Sequence, residues 1–138
     1  MTTQSSRKPF VNSAIACLLL AAASSLAFAA DPPLSLGDAQ KILNQTKDKK
    51  EYESYMDDFA LFNNYHHLDS KDDCYAKGNG PVDLYLVIKA ADDQQSGVID
   101  QVLSNVDNPK AACLKKSYKD VPTKAPPYSP FIVPMKIG

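Results

Sequence analysis

The chain has no tryptophan, five glycines, three cysteines and a single arginine, Arg7, near its amino end. Without a guanidinium fork beyond that position, phosphate has no bidentate partner. No Gly-x-Ser-x-Gly elbow, HExxH pair or glycine-rich phosphate loop occurs, so the sequence offers no recognisable centre for acyl transfer, zinc hydrolysis or nucleotide chemistry. No CxxC pair occurs either, which removes the usual redox and zinc spacings. The apolar run of residues 14–23 falls short of the ~20 residues that span a bilayer.

That short run follows Arg7 and Lys8 and precedes Ala27-Phe28-Ala29-Ala30. A basic start, a short apolar stretch and small residues three positions apart make residues 1–29 a secretory signal peptide cut after Ala29. Cys17 lies inside the apolar run, not at its end, which argues against a lipoprotein. Taking Arg7 and Lys8 from the 15 basic residues leaves 13 against 16 acidic ones, a net charge of −3. Nucleic acid and anionic membrane surfaces are therefore not expected partners.

About 109 residues remain after cleavage, enough for one domain of modest core. Cys74 and Cys113 are then the only cysteines, and in an oxidising compartment they are expected to pair. Closing a loop of about 40 residues contributes roughly 4 kcal/mol on the chain-entropy picture.

After the leader Asp31-Pro32-Pro33, residues 30–47 carry a short helix with Ala39, Ile42, Leu43 and Thr46 at helical spacing and Ser35 or Asp38 as caps. A single domain is expected over residues 48–138. Asp48 and Glu51 have capping-box spacing, ahead of a helix whose Tyr52, Tyr55, Met56, Phe59 and Phe62 form one stripe. Packing alone demands that spacing, so the stripe reads as a core face and not as a ligand-stacking row.

Residues 63–74 read as a polar loop that holds both histidines. His66, His67 and Asp69 could bind zinc or copper if the backbone turned to make them converge, although adjacent imidazoles diverge on helix and strand alike. The pairs Asp72-Asp73 and Asp92-Asp93 read as turn chemistry.

Residues 82–88 alternate at period two, with Val82, Leu84, Leu86 and Ile88 on one face. Gly78-Asn79-Gly80-Pro81 introduces this strand by a turn that needs positive φ. A polar turn at residues 92–97 leads to a second strand, 98–103, whose looser alternation suggests a bulge. Asn108-Pro109 starts a helix that packs Ala111, Leu114 and Tyr118, and Val121-Pro122 ends it. After the proline-rich connection 125–130, Phe131, Val133, Met135 and Ile137 alternate as a closing strand. Pro134 places that strand at an edge, with Ile132, Pro134 and Lys136 facing outward.

The predicted fold is α+β: two layers, with a small antiparallel sheet of hairpin, helix and closing strand packed against the amino-terminal helices and stapled by one disulfide. Gly80-x-Val82-x-Leu84-x-x-Val87-Ile88, then Gly97-x-Ile99-x-x-Val102, a helix and a proline-marked return strand resemble the carboxy-terminal domain of the TonB energy-transducer family over residues 78–137. The resemblance implies that domain's fold and binding by strand addition. Energy transduction is not implied, because the chain carries a cleavable signal in place of a membrane anchor and lacks the long Pro/Lys/Glu spacer.

The first functional expectation is a periplasmic or secreted, non-enzymatic module without a cofactor. It binds a protein or peptide of the cell envelope through its sheet edge at Ile132, Pro134 and Lys136, or through the loop after the aromatic helix. The alternatives are a metal-binding protein or metal-dependent enzyme centred on His66, His67 and Asp69, and an inhibitor of a periplasmic enzyme.

Overall fold

The computed structural model describes residues 31–138, apart from the side chains of residues 65–73. The signal-peptide reading of residues 1–29 therefore lies outside the described residues, and so do the side chains of His66, His67 and Asp69. Helix α1 (Leu36–Thr46) begins at a capping box: the Asp38 N–H donates to Ser35 Oγ, and the Ser35 N–H donates to Asp38 Oδ2. The box expected at Asp48 and Glu51 does not form, because helix α2 (Lys50–Tyr75) takes Lys49 as its N-cap without a side-chain bond. Tyr52, Tyr55 and Phe59 of α2 are buried, with Met56 and Phe62 packed against them, as the stripe predicts. The loop expected over residues 63–74 is instead the last turns of α2. No glycine or proline interrupts residues 50–75, and polarity alone does not end a helix.

Four antiparallel strands form one sheet: β1 (Val82–Ala90), β2 (Ser96–Ser104), β3 (Pro122–Lys124) and β4 (Phe131–Ile137), in the order β3-β2-β1-β4. Gly80 enters β1 with φ +97°, the conformation its turn requires. The hairpin turn is built by Asp93, whose Oδ1 accepts the N–H groups of Gln95 and Ser96. Those bonds, with the Ser96 hydroxyl, hold the Asp93 carboxyl below its ordinary pKa. The suspected bulge in β2 is present: Val87 faces Gln101 while Ile88 faces Ile99, so Asp100 is the extra residue. Gly97 belongs to β2 and not to the turn. A Cβ there would sit 2.5 Å from Thr123 Oγ1 and 2.6 Å from the Lys124 carbonyl, so only glycine lets β3 approach.

Helix α3 (Pro109–Tyr118) is capped by Asn108, whose Oδ1 accepts the Ala111 N–H at 2.8 Å. It lies with α2 on the face of Val82, Leu84, Leu86 and Ile88, where Phe131, Val133, Leu114 and Tyr118 complete the main core. Tyr118 Oη donates to Asn63 Oδ1 at 2.7 Å, joining α3 to α2. Cys74 and Cys113 form the disulfide, with Cα atoms 5.3 Å apart. Reducing it should lower stability by about 2–4 kcal/mol. Thermal scans with and without reductant check this, and equal melting temperatures would contradict it.

Lys110 is 2% exposed, a burial that the sequence does not announce. Its ammonium donates to the oxygens of Gly80 (2.9 Å) and Gly138 (3.1 Å) and lies 5.0 Å from the Tyr75 ring centroid. One side chain thus ties the ends of β1, β4 and α2 to the start of α3.

Helix α1 takes the opposite face of the sheet. Ala39, Val87 and Ile132 form a second buried cluster there, flanked by Leu34, Ile42, Leu43, Tyr85 and Leu103. This overturns the expectation that Ile132 faces outward. The alternation of β4 is as predicted, but the second face is covered as well, and Ile132 is 0% exposed.

Candidate functional site

Unpaired main-chain groups along an open sheet edge are where a partner strand can add. The direction of those groups follows from one exchange. The Asn105 N–H donates to the Asp83 carbonyl, and the Asp83 N–H donates to Asn105 Oδ1, so Asp83 directs its main chain toward β2. Alternate residues of an antiparallel strand point to opposite neighbours. Leu84, Leu86 and Ile88 therefore bond to Met135, Val133 and Phe131 of β4, leaving Ile132, Pro134 and Lys136 directed away from β1.

Little of that β4 edge is usable. Ile132 has no exposed surface. Leu43 packs against the clusters on both faces, and the Lys49 ammonium lies 5.1 Å from the ring centroid of Tyr128, just before β4. The chain passing from α1 to α2 thus crosses the first half of this edge. In the open half Pro134 has no N–H to give, and Lys136, its side chain 80% exposed, supplies the one outward donor. Pro134 and Lys136 are exposed as expected, but they offer an incoming strand a single amide.

The opposite edge is different. Among the described residues the outer side of β2 is paired only at its beginning, where residues 96–98 face β3 and Ile99 exchanges bonds with Asp120 and Val121. The chain arriving from α3 joins the sheet there and not earlier. Beyond the bulge, Gln101 and Leu103 bond inward to Val87 and Tyr85. Val102 and Ser104 therefore direct both N–H and both C=O groups outward, with no backbone partner among the described residues.

Val102, with Asp100 and Gln101, forms one wall of a surface trough of about 490 Å³, and α3 forms the other. The helix presents Ala112, Lys115, Lys116 and Lys119 to it, at i, i+3, i+4 and i+7 on a single face. Within the trough Asp100 is neutralised by Lys89 at 3.1 Å, and Asp120 lies against Lys119. Neither Lys115 nor Lys116 has an ion pair among the described residues. The trough is therefore positive on a chain whose net charge is negative.

A second cavity lies between α2 and the 124–127 connection, lined by Ser54, Tyr55, Asp58, Lys124 and Pro127. Its polar groups are already engaged. Tyr55 Oη donates to the Lys124 carbonyl at 2.8 Å, and the Lys124 ammonium pairs with Asp58. Burial raises the Tyr55 pKa, which suits a neutral hydroxyl donor and not a base.

Among the described residues no helix is long and apolar enough to cross a membrane, and no group of three His, Cys, Asp or Glu side chains is placed to hold a metal ion. The helical spacing of Ala112, Lys115, Lys116 and Lys119 is legible in the sequence once α3 is predicted. The unpaired half of β2 is not, because it depends on β3 being three residues long. Compared with protein-family models, curated proteins and solved structures, the chain matches none.

Proposed function

We propose that this protein is a non-enzymatic binding module of the cell envelope, periplasmic or secreted, that takes a protein or peptide partner by strand addition. The observation that carries this reading is the second half of β2, where two N–H and two C=O groups of Val102 and Ser104 are unpaired among the described residues, beside a trough. Main-chain bonds supply affinity in this mode, and side-chain pockets on alternate residues supply selectivity. The disulfide between Cys74 and Cys113 supports an oxidising compartment. The resemblance to TonB carboxy-terminal domains supports a sheet edge as the binding element.

The test removes one outward donor. Val102→Pro deletes an N–H that bonds to nothing in β1, and proline is tolerated on a strand's open side. Stability should fall by about 1–2 kcal/mol, from the packing that the Val102 side chain loses. A photo-cross-linker at Ser104 in intact cells should trap a partner in the parent protein and lose it in Val102→Pro. An undiminished adduct would show that β2 does not pair with the partner.

A further inference from the structure

We propose that the trough between β2 and α3 selects an extended acidic segment, with carboxylates on alternate residues facing α3. This inference rests on the strand-addition reading and specifies the chemistry of what is added. A strand laid along Val102 and Ser104 turns every second side chain toward the helix. Those side chains repeat about every 6.7 Å along the strand. Lys115 and Lys116 are neighbours on α3 and form one basic patch at the trough, whereas Lys119 is already paired with Asp120. Because α3 and β2 line the same trough, helix-facing side chains of the added strand meet the Lys115 and Lys116 ammoniums.

The charges already present strengthen the selection. Asp100 is held by Lys89 from the far side of β2, so it does not compensate the helix lysines. Lys115 and Lys116 keep uncompensated charge at the trough, where a basic strand would be repelled. Val102 and Ala112 give the trough an apolar strip between the strand edge and the lysines. A polyphosphate backbone fits this site less well. It has no amides or carbonyls to pair with Val102 and Ser104, and the trough contains no arginine to hold phosphate bidentately.

The test uses the mature, oxidised protein and two short Val/Thr peptides, one with Glu at alternate positions and the other its Gln isostere. Each partly exposed ion pair contributes modestly, so two together should make the Glu peptide bind about fivefold tighter. That preference should shrink as salt is raised from low to physiological strength. In the double variant Lys115→Glu, Lys116→Glu the preference should vanish or invert, while the melting temperature stays close to that of the parent because neither side chain is in the core.

Equal affinity for the two peptides would overturn the acidic selection and leave strand addition standing. Binding of neither peptide would overturn both. A Glu preference that survives the double variant would place the acid-recognising charges away from α3 and overturn the proposal.

Discussion

Ile132→Lys should unfold most of the domain, lowering its stability by about 5 kcal/mol. Two effects act together. The isoleucine's apolar contacts with Ala39 and Val87 disappear, and an ammonium enters a cluster whose other members are Ala39, Val87, Leu34, Ile42, Leu43, Tyr85 and Leu103, none of them a carboxylate. A buried charge without a partner is among the costliest single substitutions. Lysine can escape only by lifting α1 from the sheet, which exposes the second face. Urea denaturation followed by far-ultraviolet circular dichroism checks this, with Ile132→Val as the control at about 1 kcal/mol. An unchanged midpoint for Ile132→Lys would mean that α1 does not cover this face.

Phe131→Ala should cost about 4 kcal/mol. Its ring lies 5.1 Å from Tyr52, 4.4 Å from Tyr55 and 5.1 Å from Tyr128, so it joins α2 to the segment that leads into β4. Truncation leaves a cavity between three large rings that cannot all move to fill it. The same packing pushes the Tyr52 pKa up to about 12, mainly by burial and then by Tyr128. A raised folded-state value means that the neutral hydroxyl's contribution is fully present below pH 10 and is lost as the pH rises toward 12. In Phe131→Ala water should reach Tyr52, and its titration by ultraviolet absorbance should move back toward 10. A cost below about 1 kcal/mol together with an unmoved Tyr52 titration would show that the ring is not the centre of the cluster.

Local signals in the sequence carry much of this fold. The aromatic stripe of α2, the alternation of β1, the Asn108-Pro109 start of α3 and the Cys74–Cys113 bond each follow from chemistry within a few residues or from a compartment. What fails to follow locally is which surfaces the elements cover. The alternation of β4 correctly separates Phe131 and Val133 from Ile132. It cannot reveal that α1 lies over the second face, because Ala39, Ile42 and Leu43 are equally suited to packing on either side. The polar composition of residues 63–74 suggests a loop, yet helix continuation is decided by the absence of a breaker and not by polarity. The site has the same character. Lys115, Lys116 and Lys119 share a helix face by periodicity alone, but their strand neighbour is open because the chain from α3 enters the sheet only at Pro122, where β3 begins, a tertiary fact. The edge expected to bind, β4, is blunted by Pro134 and by the α1–α2 crossing, whereas the open edge lies on β2.

The most direct measurement is amide hydrogen exchange of the oxidised protein, residue by residue, with and without the alternating Glu peptide. In the free protein the Val102 and Ser104 amides should exchange much faster than those of Gln101 and Leu103, which bond to β1. On adding the peptide, Val102 and Ser104 should slow together, while Lys136 on β4 stays unchanged. Slow exchange of Val102 and Ser104 before any peptide is added, or slowing at Lys136 in their place, would contradict the assignment of β2 as the binding edge.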